Sequence, residues 1–311
     1  MSSPLVSVII PAYNHEQYVK DTIQSILIQD YPDIELIIID DGSKDGTLDR
    51  IQEMRQKCEQ RFKRFEVETQ ENQGTCVTLN RLRAKAAGNY VLLIASDDEL
   101  LPGAITAMVQ QLESRPDAGL VVGRNVIMDS EGKACFWDAA RNNVYEQTQA
   151  EYLSFSDFLD VTTYPTTHAK WGTYETLVRG NHIPNGYVIR KSILDKIPPF
   201  TKEAPLEDWW LMLQLAKHSK LVSIPQETFR YRWHAANTIK QSDKMRQYAQ
   251  KNMAWEVNYT SGLEDKTWAR ILKVSKRKAS IAKFFFQKKT TSKGKLIIKI
   301  CRIPVYVARC K

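Results

Sequence analysis

The apolar run Tyr90-Val91-Leu92-Leu93-Ile94 stops abruptly at Ala95-Ser96-Asp97-Asp98-Glu99. Its length and branching are those of a buried strand, and Gly88-Asn89 ahead of it forms a turn. In an open α/β sheet, ligands bind outside the carboxyl ends of the strands. Adjacent carboxylates there repel each other unless a cation or a hydrogen-bond donor offsets them. A hard divalent cation, Mg²⁺ or Mn²⁺, would do so and would bridge to phosphates. The plain alternative is an acidic turn ahead of a helix, with Pro102 near its first turn.

The rest of the first half repeats this arrangement. Leu5 to Ile10 is a strand stopped by Pro11, and Pro11-Ala12-Tyr13-Asn14 is a loop. A helix is expected from Glu16 to Gln29, with Val19, Ile23, Ile26 and Leu27 on one face. Ile34 to Ile39 is a second buried strand, followed directly by Asp40-Asp41-Gly42-Ser43. A helix over Thr47 to Glu59 and a strand over Phe65 to Thr69 come next. Asn72-Gln73-Gly74 then turns into a helix that runs through Ala87. After the opening strand, a helix is expected over Pro102 to Ser114 and a strand over Ala118 to Gly123. Strands alternating with helices over about 120 residues predict one doubly wound, mostly parallel sheet flanked by helices.

The second half is less regular. Asp129 to Lys133 is expected to be a hairpin turn. Residues 136 to 180, rich in Tyr, Trp, Thr and Asn, are suited to covering the carboxyl edge of the sheet. Tyr187 to Ile189 is one more strand. Leu206-Glu207-Asp208-Trp209-Trp210 opens a helix, and strands are expected at Leu221–Ile224 and Thr228–Trp233.

The first turn excludes one rival. A dinucleotide-binding unit needs G-x-G-x-x-G after its first strand, and no glycine occurs between Pro11 and Asp41. The P-loop pattern is absent too. A nucleotidyltransferase would want a glycine-rich basic loop at the same place.

Charge divides the chain. Lys266 to Lys311 holds 15 Lys and Arg and no acid, leaving 29 bases against 36 acids elsewhere. A mildly acidic globule with a basic tail is expected, divided near residue 240 and helical from 241 to 311. Basic residues mixed with Trp268, Phe284 to Phe286 and Leu296 to Ile298 suit an anionic membrane surface, and no nucleic acid partner is expected. The five cysteines are scattered without a C-x-x-C, which suits a reducing compartment. The N-terminus has no signal-peptide pattern.

Val6 to Asn14 (VSVIIPAYN), Ile39 to Thr47 (IDDGSKDGT), Asn72-Gln73-Gly74, Gly88 to Asp98, Glu207-Asp208 and Tyr231 to His234 (YRWH) together carry a resemblance. In order and spacing they resemble the family 2 inverting glycosyltransferases of the bacterial surface-polysaccharide type, which have the GT-A fold and use nucleotide-diphosphate sugars. The resemblance covers residues 5 to 235, with a nucleotide-sugar half to about 125 and an acceptor half to about 240.

It implies roles for particular residues. Pro11, Ala12, Tyr13 and Asp41 would hold the nucleotide, with Asp41 accepting from uracil N3–H. Asp97 would meet the ribose or the metal, and Asp98 the metal. His234 would ligate the metal or bond to a phosphate. Asp208 would be the base that takes the acceptor hydroxyl's proton. Glu207, Trp209 and Asn181 are weaker acceptor contacts. Two departures stand out. Ala95 replaces the first acid of the usual Asp-x-Asp, and Leu79-Asn80 replaces a common Arg-Asn pair, for which neither Arg81 nor Arg83 is a match.

The resemblance thus implies transfer of one sugar, UDP-linked, to a glycan on a lipid carrier. The enzyme would be peripheral at the cytoplasmic face of the cell membrane. The alternative is a membrane-associated scaffold that keeps the fold without turnover.

Overall fold

The computed structural model describes residues 3–275 and three strands within residues 286–306. Two compact units are present, Met1–Trp255 and Glu256–Lys311.

The first unit is built on one large sheet. Strands β1 (Val6–Ala12), β2 (Ile34–Asp40), β3 (Arg64–Thr69) and β4 (Tyr90–Leu93) come first in the chain. They alternate with helices α1 (Val19–Leu27), α2 (Thr47–Glu53), α3 (Arg55–Arg61) and α4 (Thr75–Lys85). The expected helix over residues 47–59 is therefore two helices, broken at Met54. Next come β5 (Glu99–Leu100), α5 (Ala104–Ser114) and the long β6 (Ala118–Met128). A hairpin at Asp129–Lys133 leads into β7 (Ala134–Trp137) and β8 (Asn143–Val144). The Asp129 carboxylate forms that turn by accepting from the backbone N–H of Glu131 and Lys133, both at 2.9 Å.

Helices α6 (Phe155–Thr162) and α7 (Tyr174–Leu177) follow, then β9 (Val188–Arg190), α8 (Lys191–Leu194), α9 (Glu207–Leu215) and β10 (Lys220–Arg232). The strand order is β3-β2-β1-β4-β9-β6-β10-β5. Neighbours from β3 to β4 are parallel, and β6 is parallel to β10. Strand β9 runs against both β4 and β6. The sheet is mixed and mostly parallel, as expected, with one reversed strand joining its two parallel blocks. The two short strands expected after Leu221 are one continuous strand, with register shifts around Pro225 to Thr228.

The core explains why the apolar runs are strands. Ile34 and Leu36 to Ile39 are fully enclosed, because helices cover both faces of the parallel block. The alternate residues Val6, Val8 and Ile10 of β1 are equally dry. Beside β10, Gly186 has φ of +74° and lies where a Cβ would run into the Phe229 ring, so only glycine lets the chain cross there.

Registry then sets the site. β1 ends opposite β2 at Ala12 and Asp40, and β6 ends opposite β10 at Met128 and Arg232. The segments after β1, β2, β4, β6 and β10, and the one before β9, all emerge at the same edge.

Helix α10 (Ser242–Gly262) crosses the division between the units. Its first part belongs with the first unit for a visible reason: Asn252 exchanges two hydrogen bonds with the backbone of Leu206, at 2.8 and 2.9 Å, and Trp255 meets Trp210 edge-on. The first unit therefore extends past the expected boundary near residue 240. The extension is helical over 242–262 and 267–275. Farther on it is not the expected helix. Strands β11 (Phe286–Thr290), β12 (Leu296–Ile300) and β13 (Ile303–Tyr306) form an antiparallel sheet there. The β-branched residues at 297, 298, 300, 303 and 305 favour strand over helix. Much of the Lys266–Lys311 tail lies outside the described residues. Among the described residues no helix is long and apolar enough to cross a membrane.

Candidate active site

The loops after β1 and β2 are stapled together. Asn14 takes a left-handed conformation (φ 53°), which asparagine tolerates better than most residues. Its backbone N–H donates to Ser43 Oγ at 2.9 Å, and its side-chain oxygen accepts from Lys44 N at 2.8 Å. The next residue, His15, donates its backbone N–H to Thr47 Oγ1 at 2.8 Å. That turn points the His15 ring at the end of β4.

Asp41 is buried, and its carboxylate is already busy. It accepts from the backbone N–H groups of Gln73 and Gly74, both at 2.8 Å, and from Gln70 Nε2 at 2.6 Å. A carboxylate has about four acceptor positions, and three are used. Asp41 therefore builds the wall formed by residues 70–74 before it meets any base. Gly42 allows this, because a Cβ there would strike the backbone of Gln70 and Asn72. Ala12 is enclosed, and its carbonyl accepts from Asp41 N at 2.8 Å. Pro11 is half-buried, and Tyr13, 43% exposed, is the one ring in this stretch free to stack on a ligand.

At the end of β4 the two acids part company. Asp97 Oδ2 lies 3.0 Å from His234 Nε2 and 3.7 Å from His15 Nε2. The ligand atoms of these three side chains fall within 4.8 Å of one another, a spacing that can hold a metal ion. His15 is oriented from behind by Ser96 Oγ, 2.7 Å from its Nδ1. Burial works against ionisation of Asp97, but the two imidazoles bring its pKa below the ordinary carboxylate value. Burial lowers the His15 pKa, which keeps that ring neutral and able to ligate.

Asp98, expected on the metal, stands outside this group. Its Oδ1 accepts from the backbone N–H of Arg232 at 2.9 Å, so the end of β10 holds it. Burial and then the charge of Asp97 push its pKa well up. Arg232 is enclosed and locks the same corner. It donates to the Asp97 carbonyl at 2.7 Å and to Glu99 Oε1 at 2.7 Å. Removing one partner of a buried ion pair costs about 3–5 kcal/mol, so this corner is rigid.

The other expected cluster is linked to it through Tyr231. Glu207 and Asp208 occupy the first turn of α9, where the helix dipole favours negative charge. Asp208 Oδ2 accepts from Asn181 Nδ2 at 3.0 Å, and Oδ1 from the backbone N–H of Trp209 at 2.6 Å. Burial raises the Asp208 pKa, and those two bonds oppose the rise. Burial, then the charge of Asp208, push Glu207 up to about 7. Tyr231 feels both clusters: burial raises its pKa first, and the charges of Asp98, Asp97 and Asp208 all add to the rise.

Trp209 does not present a face to a sugar. It is buried, and its indole N–H donates to the Leu177 carbonyl at 2.7 Å. Trp210 packs on Phe200 and Trp255. His182 is a core histidine whose Nε2 accepts from Gly172 N at 3.2 Å, and burial lowers its pKa to about 4. Arg81 pairs with Glu68, and Arg83 caps the carbonyls of Ile197 and Pro198, so neither replaces the missing Arg-Asn pair. His15 escaped sequence reasoning, although it directly follows the loop after β1. A single histidine in a polar loop has no periodicity to betray it.

A mixed, mostly parallel sheet flanked by helices, with paired acids at the end of one strand, has the architecture of the GT-A fold. More particularly, residues 7–158 match the family model described as Glycosyl transferase family 2. TuaG of Bacillus subtilis (strain 168), a glycosyltransferase assigned to teichuronic acid biosynthesis, is 44% identical over 96 residues. That alignment covers 31% of this chain and 37% of TuaG, so the chain spans little more than a third of that relative. Among solved structures, S. aureus TarS 1–349 in complex with UDP-GlcNAc superposes with a TM-score of 0.54 at 15% identity, covering 99% of this chain and 100% of that one. The mannosyltransferase PcManGT from Pyrobaculum calidifontis, in complex with GDP-Man and Mn²⁺, superposes with a TM-score of 0.55 at 14% identity, covering 90% and 76%. At these identities the two structures speak for the fold.

Proposed function

We propose that the domain moves one sugar from a nucleotide-diphosphate sugar, UDP-linked, to a hydroxyl of a glycan acceptor, with inversion. The observation that carries this is the pair of acidic clusters, at Asp97 and at Asp208, whose charges both reach Tyr231. One has the composition of a cation and diphosphate site, the other that of a base. The UDP-GlcNAc bound by TarS supports a UDP-linked donor. The assignment of TuaG to teichuronic acid biosynthesis supports a surface-polysaccharide acceptor, and the basic tail is the reason to place that acceptor on a lipid.

The cation site is His15, Asp97 and His234. One carboxylate and two imidazoles suit Mn²⁺ better than Mg²⁺, which prefers all-oxygen shells. A bound cation would neutralise the charge that develops on the leaving diphosphate. The chain's own residues do the rest. Tyr13 and the 70–74 wall receive the nucleoside, and Arg232 keeps Asp97 in place. Asp208, oriented by Asn181, takes the proton of the attacking hydroxyl. A panel of nucleotide sugars in thermal-shift assays tests this reading. UDP-sugars should raise Tm, and by more with Mn²⁺ present. If no nucleoside-diphosphate sugar raises Tm under either condition, the reading is wrong.

The basic extension is the second part of the proposal. We assign the basic tail from Lys266 to peripheral attachment at the cytoplasmic face of the membrane, and the first unit to catalysis. The tail's 15 uncompensated positive charges support this. Each basic residue near an anionic surface contributes about 1 kcal/mol. The full chain should co-sediment with anionic vesicles, less so at high salt, and a chain truncated after Asp265 should stay in solution. Equal binding to neutral vesicles, or retention of the truncated chain, would show that the tail is not the anchor.

A further inference from the structure

Beside the cation site lies a cavity of about 520 Å³, lined among others by Arg141, Asn142, Trp233, His234 and Lys240. Two features of it are unusual. The Lys240 ammonium sits 4.1 Å from the centre of the Trp233 ring, and the Arg141 guanidinium 5.4 Å from the same ring. Like charges gathered on one indole repel each other. Yet among the described residues neither cation has an acidic partner. The nearest acid along the chain, Asp138, spends its carboxylate on the backbone N–H of Ala140 and Asn142 and on the side chain of Asn142.

Both cations are also held there by design of the backbone. Arg141 adopts a left-handed conformation (φ 64°), a strained choice for a long side chain. Asp138 shapes that turn, and the Trp233 indole N–H fastens it by donating to the Arg141 carbonyl at 3.1 Å. Lys240 closes the loop after β10. There Asn237 accepts from His234 N at 2.6 Å and donates to the Arg232 carbonyl at 3.1 Å. His234 lines the cavity and also touches Asp97. The cavity and the cation site therefore share His234.

We propose that Arg141 and Lys240 form a phosphoryl-binding subsite joined to the cation site through His234. The anion that belongs between them is a phosphate carried by a ligand: either the donor's diphosphate or the phosphate linking an acceptor to its lipid. This rests on the nucleotide-sugar reading for its context, but the subsite itself is defined by its two unpaired cations. A guanidinium and an ammonium converging from two loops recognise phosphate oxygens by charge-assisted hydrogen bonds.

The test is isothermal titration of the full chain and of an Arg141→Gln/Lys240→Gln variant, with four probes: uridine, Mn²⁺-UDP, pyrophosphate and a short-chain polyprenyl phosphate. Lys240→Gln alone, at an exposed position, guards against a double variant that misfolds. The variants should bind UDP or the polyprenyl phosphate about tenfold or more weakly, and pyrophosphate likewise, while uridine binds as before. The probe that weakens names the source of the phosphate. Unchanged affinity for every phosphorylated probe overturns the proposal. An equal loss for uridine overturns it too, because the lost contact is then not to phosphate. Should uridine fail to bind even the unaltered chain, the nucleotide reading falls, and the pyrophosphate titration still decides the subsite.

Discussion

Asp208→Asn is expected to leave donor binding intact and to lower kcat by about 10²–10⁴. A sugar hydroxyl is a weak nucleophile, and in-line displacement at the anomeric carbon needs its proton removed as the bond forms. The carboxylate is set for this. One oxygen is held by Asn181 at 3.0 Å and the other by its own helix's Trp209 N–H at 2.6 Å. The substitution keeps shape and volume. It turns an amide nitrogen towards Asn181, which loses one hydrogen bond worth about 1 kcal/mol, far less than the catalytic loss. Folding should therefore survive, and a melting curve checks that. The pH profile adds a second readout. Glu207 and Asp208 titrate as a neighbouring pair, with Glu207 raised to about 7. A base must be ionised, so kcat/KM should climb with pH through a limb that burial of Asp208 displaces above the ordinary aspartate range. Near-normal turnover by Asp208→Asn would end the assignment.

Chelation should abolish transfer, and Mn²⁺ should restore it more fully than Mg²⁺. The loss is expected to be about 10³-fold or greater, since charge neutralisation at a leaving group contributes several kcal/mol. The geometry distinguishes the two adjacent acids. Asp97 is gripped by two imidazoles at 3.0 and 3.7 Å, whereas Asp98 is tied to the backbone of Arg232. Asp97→Asn should thus lose Mn²⁺ affinity and activity together. Asp98→Asn, which keeps an oxygen for the Arg232 N–H, should bind Mn²⁺ nearly as the unaltered chain does. His15→Ala should weaken Mn²⁺ binding, followed by electron paramagnetic resonance of the free ion. Full activity in excess EDTA, or tight Mn²⁺ binding by Asp97→Asn, would rule the site out.

The parallel block was legible because its signals are local. Ile34 to Ile39 and Tyr90 to Leu93 are continuous apolar runs, and each is closed by polar residues at the edge where ligands gather. Strand β9 was barely visible at three residues, and nothing local says that it runs backwards between β4 and β6. The interruption at Pro225-Gln226-Glu227 disguised one long strand as two, because bulges break the alternation that sequence reasoning follows. Asp41 and Asp98 were found as residues, yet their partners were not. The amides of residues 73 and 74 and of Arg232 meet them only after the sheet has assembled. His15 is the same case: Ser96 and Asp97 lie far along the chain and become its neighbours through the pairing of β1 with β4. Trp209 misled because an aromatic ring beside two acids suggests an acceptor contact, while the helix turned this one inward.

The wall held by Asp41 has a consequence for how specificity can change. Its three bonds run to two backbone amides and to the side chain of Gln70. None involves the side chains of Glu71, Asn72 or Gln73, which are exposed. The chain path beside the proposed nucleoside site is therefore fixed independently of what those three positions carry. Substitutions there alter the chemistry offered to a ligand while the scaffold stays put. Such a segment behaves like an interchangeable fitting on a rigid mount, and diversification of the donor pocket can begin there without first being compensated elsewhere.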